Sequence, residues 1–317
     1  MDSITQAVLG AAIGKACLGK KIGNKSILIG AAIATLPDLD IIALPFLDLL
    51  ERLSMHRGFS HSIIFSLLLA LLLAYILRRI KITKEITFFR LARFSWLTLI
   101  THMLLDGFTA YGTLLFLPFS DIRFGFDSIN VVDPIYTMPM LIGLLLSIKK
   151  KGDWALIKYA NEIGIVLSSL YLVTTLVIKH NVNQKFEKAL STQNIQYTKI
   201  NSQPVGIASF HWYGLARTQD GFYMGDYSYS DQDEIQFTFF PSVDSLLEAL
   251  DDYTVDRMKW FAKDFYHVVE QGDSLLFYNM QVDMQGTYDL GKREAPTRGY
   301  FILENREGGK LISSGRH

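Results

Sequence analysis

The strongest constraint on this chain is the uncharged run "IIFSLLLALLLAYIL" (residues 63–77), one of a series of apolar stretches confined to its first 180 residues. A hydrocarbon core of about 30 Å is crossed by about 20 helical residues, fewer if a segment re-enters. On that scale the candidate segments are 4–19, 26–47, 61–77, 94–117, 133–148 and 161–179. Beyond them charge, tyrosine and glycine mix as in a water-facing domain. The sequence therefore predicts an α-helical integral membrane domain of about five or six segments over 1–180, followed by a small extramembrane α+β domain with antiparallel strands over 181–317.

The first segment has an acid, Asp2, ahead of it and its lysines after it, the reverse of a secretory signal, so it reads as part of the mature protein. Its glycines Gly10 and Gly14 are four apart, a spacing that lets helices approach closely. The segment either packs tightly or re-enters, and plain small-residue packing is the simpler account.

Charge is distributed by loop. Lys20, Lys21 and Lys25 follow the first segment; Arg78, Arg79, Lys81, Lys84, Arg90 and Arg93 lie between the third and fourth; Lys149, Lys150, Lys151 and Lys158 lie between the fifth and sixth. The loops 48–60 and 118–132 are poorer in lysine and arginine and carry Asp48, Glu51, Asp121 and Asp127. The positive-inside rule makes the three basic loops cytoplasmic, so six segments put the region after 180 outside. The formal net charge is zero, which gives no argument for a nucleic-acid partner. The single cysteine, Cys17, rules out an intramolecular disulfide or a multi-cysteine zinc site.

In the tail, "IASFHWYGLAR", "GFYMGDYSY", "IQFTFF", "DSLLFYNMQVDM" and "RGYFILEN" alternate and are punctuated as strands, and "SVDSLLEALDDYTVDRMKWFAKDF" has helical spacing. His211, Trp212, Trp260 and His267 are its candidate substrate contacts; ordinary strand and core roles are the simpler account of each.

Polar residues inside apolar segments cost a few kcal/mol unless paired or hydrated, so they carry the functional information. Three groups stand out: Asp38 and Asp40 in "TLPDLDII", His56 and His61 in "MHRGFSHS", and His102 and Asp106 in "THMLLDGFTAYG". Counted from the basic ends at about 1.5 Å per residue, Asp38 and Asp106 each lie about 20 Å deep and His61 about 26 Å. Three segments oriented only by loop lysines and arginines thus bring acids and histidines to the same outer half.

His102 and Asp106 are i and i+4 and project from one helix face. His56 and His61 converge if "RGF" is a loop and Ser60 caps a helix starting at His61. Asp38 and Asp40, after Pro37, suit a broken piece of backbone, which at membrane depth lines a cavity. One such group alone is usually a packing hydrogen bond or a proton path, whereas six converging groups favour a metal. Imidazole with carboxylate points to zinc first, with manganese or iron as substitutes. Six candidate ligands exceed one tetrahedral zinc, so either two ions share the site or some residues stand behind the ligands. A divalent ion would activate water and clamp a phosphoester, and Arg57 would hold a phosphate.

These motifs resemble the YdjM-type family of bacterial and archaeal inner-membrane proteins, described as membrane-bound metal-dependent hydrolases. The family pattern "PDxD", "HRGxTHS" and "HxxxD" followed by "TxxGxxLLxP" corresponds here to "PDLD", "HRGFSHS" and "HMLLDGFTAYGTLLFLP", as far as about residue 118. The resemblance implies that Asp38, Asp40, His56, His61, His102 and Asp106 form the metal centre, in a cytoplasmic membrane. A more distant similarity to zinc-dependent phospholipase C and single-strand nucleases implies phosphoester hydrolysis by analogy. Family members often carry a histidine near the N-terminus where this chain has Gln6, with Asp2 close by; Ser60 replaces a common threonine.

The expected function is a membrane-bound hydrolase acting on a lipid or lipid-linked phosphoester at the outer half of the bilayer. Metal-activated water would be the nucleophile, Asp38 or Asp40 the base, and Arg57 the anion clamp. The alternatives are a metal-binding or transport protein without hydrolysis, and a scaffold with a structural metal. Few polar groups continue through the inner half, which weighs against transport.

Overall fold

The computed structural model describes residues 1–148, 158–206, 208–230, 234–241, 244–281, 299–306 and 308–316. The chain divides into two compact units, one comprising Met1–Pro45 and Met55–Leu176, the other Phe46–Ser54 and Val177–His317. Lys149, Lys150 and Lys151 of the third basic loop, and Arg298 at the start of one expected strand, lie outside the described residues.

The first unit is helical: α1 (Ser3–Ile22), α2 (Lys25–Thr35), a ten-residue 3-10 stretch (Pro37–Phe46), a 3-10 turn (Phe59–His61), α4 (Ile63–Leu77), α5 (Phe88–Asp106), α6 (Pro134–Ile148) and the first half of α7 (Ala160–Thr192), while α3 (Leu49–Met55) belongs to the second unit up to Ser54. Its core is aliphatic, centred on Leu18, Ala70, Ala74, Leu91, Phe94, Leu99 and Met140.

Two of these crossings are backbone contacts. A Cβ on Gly30 of α2 would collide with the carbonyl oxygen of Gly10, and one on Gly14 with that of Ser26, so α1 and α2 touch along their small residues. Gly143 of α6 and Gly164 of α7 form a second close approach, against Ala160 and Pro139. In lipid, where apolar side chains gain nothing by leaving the tails, this close packing is what holds helices together.

The count of spans corrects the sequence reading. Among the described residues two stretches are long and apolar enough to cross a membrane, Lys25–Phe46 and Ala160–Thr192, or three if Leu49–His61 and Ile63–Leu77, bent by 53°, make one span. α6 is an apolar helix of only fifteen residues and falls short. α1 contains Lys15, Lys20 and Lys21, and α5 carries Arg90, Arg93, His102 and Asp106, which dilute their hydropathy. The expected fourth segment also changes bounds: α5 starts at Phe88 and stops at Asp106. Gly107 and the turn to Gly112 then lead into loop backbone up to Pro134.

The second unit contains two four-stranded antiparallel meanders. One runs β1 (Lys199–Val205), β2 (His211–Arg217), β3 (Gly221–Ser228), β4 (Phe237–Pro241); the other runs β5 (Tyr266–Gln271), β6 (Ser274–Asn279), β7 (Gly299–Glu304), β8 (Leu311–Arg316). Between them in sequence lies α8 (Asp252–Phe261), capped by Asp251, whose carboxylate accepts from the Thr254 amide. Period-2 alternation sorts the side chains of β2. Trp212 joins Phe186 and Val182 of α7 on one face, whereas Tyr213 and Leu215 meet Leu276, Tyr278 and Met280 on the other. Strands β1, β5 and β8 were not anticipated from the sequence; β1 carries Asn201, Ser202, Gln203 and Pro204 in place of an alternating apolar pattern.

Gly30→Val should force α1 and α2 apart and lower the melting temperature in detergent by about 10 °C. Gly19→Ala, whose added methyl meets only the flexible Lys15 chain, is the control and should melt within about 2 °C of the parent. Equal melting of the two variants would contradict the close crossing.

Candidate metal centre

Each candidate residue is placed by a local break in regular structure. Pro37 lacks the amide hydrogen that would continue α2, and the chain tightens into the 3-10 stretch that carries Asp38 and Asp40. After α3, Arg57 takes a left-handed conformation (φ 56°), and the 3-10 turn at 59–61 brings His61 inward. His102 and Asp106 project from one face of α5, as their spacing requires.

Ser62, rather than Ser60, caps α4, accepting from the Phe65 amide at 3.2 Å. The helix begins two residues later than expected because the 3-10 turn takes up Phe59 to His61. Ser60 is thereby released to donate to Asp40 Oδ2 at 2.7 Å.

Asp38, His61, His102 and Asp106 form a largely buried cluster that could hold a metal ion, each offering one ligand atom within 4.8 Å of the others. His61 Nε2 and His102 Nε2 are 3.2 Å apart. Asp38 Oδ1 is 3.4 Å from both nitrogens, and Asp106 Oδ2 is 3.4 Å from His61 Nε2 and 3.5 Å from His102 Nε2. Four ligands arranged tetrahedrally around an ion with bonds of about 2.0–2.1 Å stand about 3.3–3.4 Å apart. Five of the six edges of this cluster match that value.

Two further observations fit a cation. With no proton between them, the two facing imidazole nitrogens aim both lone pairs at one place, where a cation would take them. Asp106 Oδ2, with no side-chain exposure to speak of, finds no hydrogen-bond partner among the described residues. Its nearest cation is the Arg57 guanidinium, with Nε at 3.3 Å, and a buried carboxylate oxygen without a hydrogen bond is costly.

The remaining predicted residues surround the four. Asp40 accepts from Ser60 Oγ and from the Arg57 amide at 3.1 Å, and its other oxygen pairs with His56 Nδ1 at 2.9 Å. It also lies 3.5 Å from His61 Nδ1, on the side of the ring away from the cluster. Asp40 and His56 therefore stand behind the candidate ligands, the usual place of a carboxylate that fixes a histidine's tautomer. Arg57, nearly buried, donates from Nη1 to Thr109 Oγ1 at 2.8 Å, with Nε 3.3 Å from Asp106 Oδ2.

Gln6 lies against the cluster, donating from Nε2 to Asp106 Oδ1 at 3.0 Å and to the His102 carbonyl at 3.2 Å. The Met1 amino group also pairs with Asp106. Asp2 instead caps α1 by accepting from the Thr5 amide and hydroxyl.

Sequence reasoning missed the Tyr111 ring, which lies 5.2 Å from the Arg57 guanidinium, 4.6 Å from that of Arg123 and 5.7 Å from the His56 ring. The available signal was Arg123 itself, the one basic residue in the otherwise acidic and apolar loop 118–132.

The second unit's candidates belong to its own fabric. Trp212 is fully buried, its indole N–H donating to the Ser209 carbonyl, and Arg257 lies over Trp260. His267 donates from Nδ1 to the Pro241 carbonyl at 2.7 Å, and its burial among Phe222, Phe240 and Tyr278 lowers its pKa. His211 stacks edge-on to Tyr213 and lies 3.9 Å from Asp226.

The model of the YdjM inner membrane protein family matches residues 1–183, a range that contains every residue of the cluster. Among curated proteins, the uncharacterized protein YfhP of Bacillus subtilis (strain 168) is 27% identical over 232 residues, 70% of this chain and 69% of that protein. The inner membrane protein YbcI of Escherichia coli (strain K12) is 32% identical over 123 residues, 38% of this chain and 69% of that protein. No solved structure matches.

Asp40→Asn should weaken zinc binding about 10–100-fold in a competition titration with a fluorescent chelator, because His61 loses its orienting carboxylate. Asp38→Asn removes a candidate ligand and should cost more. An Asp40→Asn protein that binds zinc like the parent would show that Asp40 does not orient His61.

Proposed function

This chain belongs to the YdjM inner membrane protein family, and we propose that it is a membrane-bound metal-dependent hydrolase that cleaves a phosphoester of a lipid or lipid-linked substrate. The observation that carries the reading is the near-tetrahedral set of Asp38 Oδ1, His61 Nε2, His102 Nε2 and Asp106 Oδ2, with a buried arginine alongside. These four residues would hold the ion, zinc first on its imidazole and carboxylate donors, with manganese or iron as substitutes. When bound, a divalent ion supplies Lewis acidity toward a phosphoester oxygen and brings the pKa of water toward neutrality.

The protein's own groups divide the rest of the work. Arg57 presents a planar guanidinium, steadied by Thr109 and Asp106, that suits a phosphate better than a lysine would. Asp40, with both oxygens engaged, orients His61 and is poorly placed to act as the base. That role passes to Asp38, whose side chain is 17% exposed while those of His61, His102 and Asp106 are essentially closed off. The 3-10 stretch that carries Asp38 also presents Leu39, Ile41 and Ile42 at the protein surface, which favours a substrate with an acyl chain. This reading puts the centre in the outer half of the membrane and the second unit on the extracytoplasmic side, supported by the contrast between basic and acidic loops and not by a number of spans.

One observation favours a second reading. Four protein ligands around one position are the mark of a closed structural zinc site. Carboxylates in place of cysteines, and the partial exposure of Asp38, favour the hydrolase.

Metal content and phosphate release on a phospholipid panel separate the two. The hydrolase predicts about one or two ions per chain, activity abolished by chelation and restored by zinc or manganese, and loss of both metal and activity in His61→Ala/Asp106→Ala. Metal that raises the melting temperature with no turnover on any substrate would establish the structural role. A metal-free parent after reconstitution would refute both.

A further inference from the structure

Far from the metal cluster, at the opposite end of α5, a cleft of about 690 Å³ opens between α5 and α1. Thirteen residues separate Arg93 from Asp106, about 20 Å of helix, so the two places are distinct. The cleft is lined by Arg90, Arg93, Thr87, Phe89 and Trp96 from the α5 side and by Cys17 from α1, and no acid is among its described lining residues. Its volume lies in the range of small-molecule sites.

The lining combines two chemistries. Arg90 and Arg93 are one helical turn apart on α5. Arg90 is held in place by donating from Nη2 to the Cys17 carbonyl at 2.8 Å, which ties the basic group to the α1 wall. On α1, Ala16 and Cys17 line the cleft, and Lys20 and Lys21 follow them at i+4 on the same face. The apolar part is aromatic: Phe89 is 78% exposed and Trp96 39% exposed, and an exposed tryptophan beside basic residues is the usual equipment of a membrane-water boundary.

A soluble anion would need the arginines but would leave Phe89, Trp96 and Leu97 facing nothing suited to them. A neutral lipid would cover the aromatics and leave the arginines without an anion.

We propose that this cleft is a binding site for an anionic phospholipid, its phosphate headgroup held by Arg90 and Arg93 and its glycerol and upper acyl region lying against Phe89, Trp96 and Leu97. Basic pockets between membrane helices are a recurrent site for such headgroups. The lipid bound here is separate from any substrate at the metal cluster, so the proposal stands or falls independently of the hydrolase.

Cys17, the only cysteine in the chain, is a built-in probe. Full-length protein in detergent would be titrated with phosphatidylglycerol, phosphatidylcholine or inorganic phosphate while the rate of Cys17 alkylation by N-ethylmaleimide is followed. Phosphatidylglycerol should protect Cys17 at about tenfold or more lower concentration than phosphatidylcholine, and inorganic phosphate should not protect. At about 1 kcal/mol per basic residue, Arg93→Gln should weaken phosphatidylglycerol protection about fivefold and Arg90→Gln/Arg93→Gln about 30-fold. Arg78→Gln/Arg79→Gln, the same charge loss at the end of α4, should leave it within about twofold.

Arg93→Gln keeps the Arg90 contact to α1 and so reads binding without disturbing the helix pair. Equal protection by the two lipids would reduce the cleft to an apolar groove. Protection by inorganic phosphate at the same concentration would make it a soluble-anion site, and unchanged protection in Arg93→Gln would remove the arginine from it. Each of these results overturns the proposal.

Discussion

Asp106 is a carboxylate with almost no exposure at the end of α5, and the first unit is organised around that fact. A charge so placed costs several kcal/mol unless it is met by opposite charge and hydrogen bonds. One oxygen takes the Gln6 amide and the Met1 amino group from α1 and its start, and the other faces Arg57, His61 and His102. α1, α5 and the turn before α4 thus meet at one carboxyl group. The glycine contacts between α1 and α2 then carry the Asp38 segment toward the same point, because α2 leads directly into it.

The turn at Arg57 depends on this arrangement in both directions. A left-handed arginine is unfavourable on its own, yet its amide is taken by Asp40, its carbonyl by the Leu114 amide and its side chain by Thr109 and Asp106. The loop that follows α5 is held back onto the same turn, since the Ile63 amide bonds to the Leu115 carbonyl, and Thr113 and Phe124 exchange backbone bonds. Irregular backbone survives beside apolar segments when its groups are satisfied within the protein. The residues that answer the charge are therefore also those that make the irregular loop permissible.

Much of this centre was legible because polar residues in apolar runs are rare and their spacing is informative. "HMLLD" put His102 and Asp106 on one face with no need of tertiary knowledge, and depth counted from the basic ends brought Asp38 and His61 to the same outer half. The division of labour was less accessible. Nothing local distinguishes Asp38 from Asp40, two apart in "PDLD"; only the fold shows that one faces the imidazole Nε2 atoms and the other the back of His61. Ser60 and Ser62 are equally good caps by type, and a 3-10 turn, set by tertiary contacts, decided between them. The fourth segment ran on to 117 in the sequence because "GTLLFLP" is as apolar as a helix. Those residues instead sit in a loop whose backbone partners, Arg57, Ile63 and Phe124, are distant in sequence. In the second unit, β1 escaped notice because "NSQP" does not alternate in hydropathy.

The unequal exposure of the four candidate ligands bears on how the centre would work. Three of them are locked: His61 by Ser60 and Asp40 behind it, His102 and Asp106 on a regular helix with Gln6 and Arg57 across them. Asp38 alone combines partial exposure with a place on a 3-10 stretch, whose hydrogen bonds are less well formed than those of an α-helix. If one protein ligand gives way to admit water or substrate, the other three hold their geometry only if the mobile one is Asp38. His61, His102 and Asp106 would still hold an ion in that case, and Asp38 would supply a carboxylate beside it. In the proposed hydrolase, the residue freed by that exchange is also the one carboxylate near the centre with an oxygen not committed to another protein group's positioning, which is why Asp38 rather than Asp40 is assigned the base.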